Sequence, residues 1–282
     1  MLKLVRIIGF IIGFAVGSAL AAEAPKRVVS LNLCTDQLAL ALADKEQLLA
    51  VSFNAANPQL SSLHESAKGL PLLKGDMEEV LLLDPDLVLL GEGQMPQLQA
   101  WLKQKNIPLL TLPSPASIDD INDNIMAVAE ALGEKDKGQD LVTAQRFAIT
   151  RARLGKNMPR TAVYFPRGFT SGKNTWMDDL LGRIGARHLG AENLWQPAHY
   201  VSLEEMVSLK PDLLLMQEDG GDRVSEGEAL LRHPALEKAA AHRVGLPGAW
   251  MACPHLNLGH IATQIYQGWQ GQMDAMLMER QQ

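Results

Sequence analysis

The sequence has few aromatic residues and no excess of positive charge. Of its 282 residues, 5% are aromatic, and the formal net charge is −6. An acidic chain lacks the basic surface that binds nucleic acid, so we expect no nucleic-acid partner. The hydrophobic content of 47% is ordinary for a globular protein, and the length is sufficient for two modest lobes.

Beyond the N-terminus, no apolar run approaches the length of a membrane span. The first residues combine Lys3 and Arg6 with an apolar core at 7–16 and small residues at 18–22, which is typical of a cleaved export signal. No cysteine lies near the cleavage site. The sequence therefore predicts a signal peptide at residues 1–22 and an exported protein that is not a lipoprotein.

Motifs for catalysis and metal binding are also missing. No G-x-S-x-G elbow marks a hydrolase nucleophile, and no H-x-x-x-H or C-x-x-C spacing marks a transition-metal site. The segment 168–174 is similar to a phosphate-binding loop, but its glycines are too close together and Asn174 replaces the expected Ser or Thr. We expect no catalytic residue, no cofactor and no resident metal. A hydrolase assembled from distant residues stays an alternative.

One unit occurs twice and organises the chain. Residues 76–90 and 202–216 lie 126 positions apart, and 7 of 13 positions are identical from Glu78 and from Glu204. Each copy predicts a capped, short amphipathic helix that ends before Pro-Asp, followed by an apolar strand buried on both faces. A spacing this long predicts two similar lobes, because a solenoid repeats every 20–50 residues or so.

Each copy leaves one glutamate without a structural task. In the predicted capping boxes, Glu79 and Glu205 pair with the N-cap residues. Glu78 and Glu204 occupy the second helical position, where the helix dipole tolerates a carboxylate and no local partner is required. Each lobe therefore presents one free acidic side chain at an equivalent place. The alternative is an ordinary acidic first turn.

Alternating apolar strands and amphipathic helices predict α/β lobes with mostly parallel sheets. The predicted lobes are residues 25–133 and 157–282. The segment 134–156 is charged, lacks proline and has apolar residues at helical spacing, so it predicts one stiff connecting helix. The predicted fold class is α/β: two similar α/β lobes joined by one long rigid helix, with a ligand cleft between them.

The only cysteines are Cys34 and Cys253. An even number of cysteines in an exported protein allows one disulfide. The two residues fall in different predicted lobes, and a bridge would tie together lobes that must separate. We therefore expect two unbridged thiols, free or buried.

Side chains suited to a large, flat ligand flank the predicted strands. In α/β sheets, ligands bind beyond the carboxyl ends of the strands, and aromatic rings with polar tips fit partly apolar ligands. Two lobes would place such side chains across a shared cleft, although ordinary loop packing is the alternative for each. The candidates are Trp176, His199, Tyr200, Trp250 and His255.

These features together resemble the periplasmic binding proteins of ABC importers for iron chelates and cobalamin. The resemblance covers nearly all of the mature chain and is most specific at residues 78–90, 169–173 and 204–216. It implies a fold of the helical-backbone metal-receptor type. It also implies that Glu78 and Glu204 dock onto arginines of the membrane permease.

The same resemblance adds Phe53, Asn54 and Glu92 to the residues expected around the ligand. Corrinoid-binding members have Trp where this chain has Ala198 and Arg where it has His255, whereas siderophore binders use several cleft arginines. The ligand therefore stays open between a cobalamin-like corrinoid and a ferric siderophore.

We expect a monomeric, non-enzymatic binding protein that delivers a metal chelate to an ABC permease at the inner membrane. A binding protein for bare zinc or manganese ions is the first alternative, and an exported α/β hydrolase is the second.

Overall fold

The fold is described from a computed structural model, which covers residues 23–155, 158–218 and 230–279. The predicted signal peptide lies outside these ranges, as does part of a helix predicted at residues 226–240. Among the described helices, none combines the length and the apolar character that a membrane crossing requires.

The N-terminal lobe is built on a parallel sheet of five strands in the order β3-β2-β1-β4-β5. The strands are β1 (Val28–Ser30), β2 (Leu48–Ser52), β3 (Leu72–Leu73), β4 (Leu87–Gly91) and β5 (Leu109–Leu112). The helices are α1 (Leu33–Leu42), α2 (Met77–Leu82), α3 (Pro96–Gln104) and α4 (Ile118–Leu132). The predicted α/β lobe with a parallel sheet is confirmed.

In the C-terminal lobe, four described strands form a parallel sheet in the order β11-β10-β6-β8, and two more form an antiparallel ribbon. The sheet contains β6 (Arg160–Tyr164), β8 (Arg187–His188), β10 (Leu213–Gln217) and β11 (His242–Leu246), and the ribbon pairs β7 (Phe169–Ser171) with β9 (Ala198–Tyr200). The helices are α6 (Trp176–Ile184), α7 (Leu189–Glu192), α8 (Leu203–Leu209), α9 (Pro234–Glu237), α10 (Gly248–Ala252) and α11 (Leu258–Glu279). The ribbon and α10 lie where the sequence predicted loops.

Both copies of the repeat fold as a helix and a buried strand, α2 with β4 and α8 with β10. Ser202 caps α8 as predicted, since its side chain accepts from the amide of Glu205 at 3.1 Å. The predicted Asp76 cap is wrong, because the Asp76 side chain accepts no capping bond. Glu79 instead accepts from the backbone amide of Lys74 at 3.0 Å, so it is still occupied by local structure.

The connecting helix, α5 (Lys135–Arg151), is packed on several sides. It contacts α4, α6 and α11, and one apolar cluster includes Val28 of β1, Ile149 of α5 and Ile261 of α11. The amide of Ile118, at the start of α4, donates to Asp179 of α6 at 2.9 Å. The two lobes therefore share a continuous core beside the connector, which resists a wide hinge motion.

The expectation of two unbridged thiols is wrong. Cys34, in the first turn of α1, is bonded to Cys253, which follows α10, and their Cα atoms are 5.2 Å apart. This disulfide joins the lobes across 219 residues of sequence. The objection that a bridge would block lobe movement assumed that the cysteines lie where the lobes separate.

Candidate functional site

The carboxyl ends of the two parallel sheets face each other. Cys34 lies just after β1, and Cys253 lies in the segment after β11, so the disulfide connects the carboxyl edges of the two sheets. Segments that leave β1, β2 and β4 therefore stand opposite segments that leave β6 and β11. In open α/β sheets this edge is where ligands bind, and here it occurs twice across one cleft.

The N-terminal wall of the cleft presents both apolar and polar groups. Phe53 follows β2 and is 55% exposed, while Asn54 beside it is half-buried. Glu92 follows β4 and is exposed. The loops behind this wall are tied together, because Asn32 donates through Nδ2 to Gln94 Oε1 at 3.1 Å. A ligand would meet an exposed ring, an amide and a carboxylate on this side.

The opposite wall carries a row of aromatic rings. Phe165 stacks on Phe169 with ring centres 6.2 Å apart, and Phe169 meets the edge of Tyr200 at 5.6 Å. Tyr200 is 69% exposed. The two phenylalanines were not among the predicted site residues, although Phe165 follows a buried strand at its carboxyl end and so matched the rule used for the others.

The β7–β9 ribbon separates two residues that the sequence analysis grouped together. His199 and Tyr200 are consecutive, and successive side chains of a strand point to opposite faces. Tyr200 is paired with Phe169, whereas His199 stacks on the buried ring of Trp195 at 5.2 Å. Tyr200 is therefore the exposed end of the aromatic row, in which Phe169 is half-buried and Phe165 is buried. His199 supports the ribbon from its other side.

Two tryptophans close the C-terminal wall. Trp176 is the first residue of α6, is half-buried and packs against the main apolar core. Trp250 lies in α10, directly after β11, and stacks on His260 of α11 at 5.5 Å. Both indoles stand at the carboxyl edge of the sheet while anchored to the core, so they suit a rigid binding wall.

His255 lies beneath the cleft and is only 2% exposed. Its Nε2 is 3.2 Å from the side-chain amide nitrogen of Asn124, and its carbonyl accepts from Gln145 Nε2 at 2.7 Å. Burial lowers the pKa of His255 to about 4, so the ring is neutral. Through these contacts with α4 and α5, His255 fastens the loop after Cys253 to the connector.

A buried carboxylate supports the N-terminal wall. Asp36 of α1 is fully buried and accepts from Ser52, through the hydroxyl at 2.5 Å and the backbone amide at 3.2 Å. Ser52 directly precedes Phe53. Burial raises the pKa of Asp36 to about 6, with the bonds from Ser30 and Ser52 opposing that shift. Asp36 therefore holds the end of β2 in place directly before the exposed ring of Phe53.

Asp36 and His255 should oppose each other in the pH dependence of stability. The pKa of Asp36 in the folded protein lies above its ordinary value. Its contribution to the free energy of unfolding therefore rises by about 3 kcal/mol as the pH falls from about 6 to 4. The pKa of His255 in the folded protein lies below its ordinary value. Its contribution to the free energy of unfolding therefore falls by a similar amount as the pH falls from about 6.5 to 4. We expect the two effects largely to cancel in the wild-type protein.

Two variants separate these contributions. Denaturant unfolding between about pH 4.5 and 6.5 should show Asp36→Asn losing stability as the pH falls. His255→Gln should gain stability over the same range. Equal slopes for both variants and the wild type would contradict the assigned protonation states.

Glu78 and Glu204 lie at the same carboxyl edge of their lobes, and both are exposed. In the N-terminal lobe, α2 begins after Gly75, where a Cβ atom would lie 3.2 Å from Met95 Cε in the segment after β4. In the C-terminal lobe, burial and then the nearby Glu204 carboxylate raise the pKa of Tyr164, the last residue of β6. Each lobe therefore presents an acidic group beside the cleft.

Metal ligands do not converge on the described surface. Within residues 23–155, 158–218 and 230–279, no group of three or more His, Cys, Asp or Glu side chains could hold a metal ion.

Comparisons with known proteins agree with this geometry. Residues 28–245 match the family described as Periplasmic binding protein. The chain is 26% identical to an uncharacterized ABC transporter substrate-binding lipoprotein, YvrC, of Bacillus subtilis, over 68% of this chain and 63% of that protein, less than two thirds of its length. It is also 26% identical to a vitamin B12-binding protein of Vibrio parahaemolyticus, over 71% of this chain and 76% of that protein.

A solved structure shares the fold. The periplasmic heme-binding protein HutB of Vibrio cholerae superimposes with a TM-score of 0.69 at 20% identity, over 86% of this chain and 97% of that one. The two-lobed fold predicted from the repeat is confirmed.

Proposed function

Because this chain belongs to the periplasmic binding protein family, we propose that it captures a metal chelate and delivers it to an ABC permease at the inner membrane. It is a solute-binding protein and not an enzyme. The chelate is a corrinoid, a haem or a ferric siderophore. The observations that carry this proposal are the row formed by Phe165, Phe169 and Tyr200 in one lobe and the exposed ring of Phe53, which follows β2 in the other lobe.

The chemistry of the cleft favours a large, flat ligand. Aromatic rings on two facing walls contact the faces of a macrocycle or a chelate ring system, while Asn54 and Glu92 offer polar contacts at its edge. The disulfide and the shared core keep the walls at a nearly fixed separation. Such a preformed cleft binds without the cost of ordering its walls.

The proposal extends to location and assembly. We propose that residues 1–22 direct export and are removed, and that the protein then acts in the periplasm as a monomer without a lipid anchor. The absence of cysteine before Cys34 supports the missing anchor, since the lipid is attached to a cysteine in lipoproteins.

Tryptophan fluorescence provides a direct test of ligand class. The mature protein would be titrated with cobalamin, cobinamide, haem and a panel of ferric siderophores, with correction for absorbance by the chelates. We expect saturable quenching at sub-micromolar concentration by one class, because Trp176 and Trp250 stand at the cleft. Zinc and manganese salts, titrated in parallel, test the alternative of bare-metal binding.

Single tryptophan replacements identify the residues whose fluorescence is quenched by the ligand. Trp176→Phe and Trp250→Phe should each reduce the amplitude of quenching, whereas Trp101→Phe in α3, away from the cleft, should retain it. A response to zinc or manganese alone would replace chelate binding with bare-metal binding. No response to any titrant would reject both.

A further inference from the structure

The two candidate docking helices differ at one exposed position. Along the internal repeat, Glu78 of α2 corresponds to Glu204 of α8, and both are exposed. One helical turn further on, α2 has Leu82 where α8 has Ser208. Leu82 is 86% exposed, which makes it the most exposed large apolar side chain among the described residues.

Folding does not account for Leu82. The helix attaches to its sheet through Val80, which is fully buried and packs in the apolar cluster of β1 and β4. Leu82 points away from that contact, and Met77, the first residue of the helix, is also 41% exposed. Ser208 presents no such surface, since its hydroxyl donates to the carbonyl of Glu205 at 2.7 Å.

We infer that α2 is the stronger of the two docking helices, and that Leu82 inserts into an apolar depression of the ABC permease beside the cation that receives Glu78. This inference rests on the permease-docking role of Glu78 and Glu204. It adds an apolar contact to one lobe that the other lobe lacks.

The charge and the apolar side chain support each other. Residues four apart on a helix lie on one face with Cβ atoms about 5–6 Å apart, so Leu82 adjoins Glu78. An exposed ion pair contributes little in water, but apolar neighbours that exclude water strengthen it. The acidic first turn, with Asp76, Glu78 and Glu79, fits a cationic partner surface.

The test measures binding to the permease. The permease that this protein supplies would be reconstituted in lipid nanodiscs, and association and dissociation of the purified variants recorded. We expect Leu82→Ser to weaken binding about tenfold, mainly by faster dissociation, because a buried leucine contact is lost. Ser208→Ala, at the equivalent position of α8, should bind as the wild type does.

Two further variants distinguish the possible failures. Phe147→Ser removes a 64% exposed ring from the connecting helix, and an equal loss of binding there would mean that Leu82 acts only through general surface hydrophobicity. Normal binding by Leu82→Ser, with defective binding by Glu78→Ala/Glu204→Ala, would overturn the inference and leave glutamate docking intact. Normal binding by the double glutamate variant would overturn both.

Discussion

Replacement of both Glu78 and Glu204 by alanine should abolish uptake of the chelate while leaving its affinity for the protein unchanged. Both carboxylates are exposed beside the cleft, one on each lobe, and neither lies within the aromatic row. A partner built from two similar halves can hold one glutamate in each half. Loss of both removes the paired charges that position the cleft over the entrance of the permease.

The measurement is uptake by cells that carry only the variant protein, with ligand affinity determined on the same purified protein. Uptake should fall to the level of cells without any binding protein. Glu205→Ala is the matched control, since it removes the adjacent exposed glutamate but leaves Glu204 and the Ser202 cap in place. Normal uptake by the double variant would show that docking uses other residues.

Among the variants proposed here, removal of the disulfide should cause the largest loss of stability. For a bridge that closes 219 residues of sequence, restriction of the unfolded chain stabilises the folded state by up to about 5 kcal/mol. We expect Cys34→Ser/Cys253→Ser to unfold about 10–20 °C below the oxidised wild type in calorimetry. The lost stability should appear without any change in the tryptophan environment of the folded state.

Reduction provides the companion measurement. Dithiothreitol should lower the unfolding temperature of the wild-type protein to that of the double serine variant, and it should leave the variant itself unchanged. An identical unfolding temperature for oxidised wild type and variant would mean that the bridge does not restrict the unfolded chain.

Local chemistry made much of the fold predictable. Ser117 and Asp120 form the capping box that begins α4, and Gly133 ends the helix in the left-handed conformation, so the residue types themselves indicate both ends of this helix. The buried strands β4 and β10 follow from uninterrupted apolar runs. Asp76 was predicted wrongly because a cap depends on the direction of the incoming chain, which the residue types alone do not specify.

The cleft was less predictable, because its walls depend on pairing between distant segments. Three-residue strands such as β7 and β9 are too short to show alternation, so His199 and Tyr200 could not be assigned to opposite faces. His255 was expected in a loop, and only the packing of α4 and α5 against it shows that its ring is buried. Glu78 and Glu204 were easier to select as candidates, since their position in the helix was sufficient to identify them.

The disulfide was missed because we assumed that a bridge between the lobes would block their opening. Cys253 lies two residues before His255, which contacts both Asn124 and Gln145, so the bridge lies at the base of the cleft beside the shared core. Small rotations about that base would shift the rims of the cleft only slightly and leave the bridged atoms almost in place. A covalent link at this point is compatible with opening.

Under the export proposed above, the same bridge would order the events of secretion. Cys34 would emerge from the translocation channel early, and its partner would follow 219 residues later. Until then the thiol can form mixed disulfides with small thiols or with the oxidising enzymes of the compartment, and it has no correct partner within its own chain. Under the proposed export, closure of this single bond would report that nearly the whole protein has crossed the membrane and that both lobes have met.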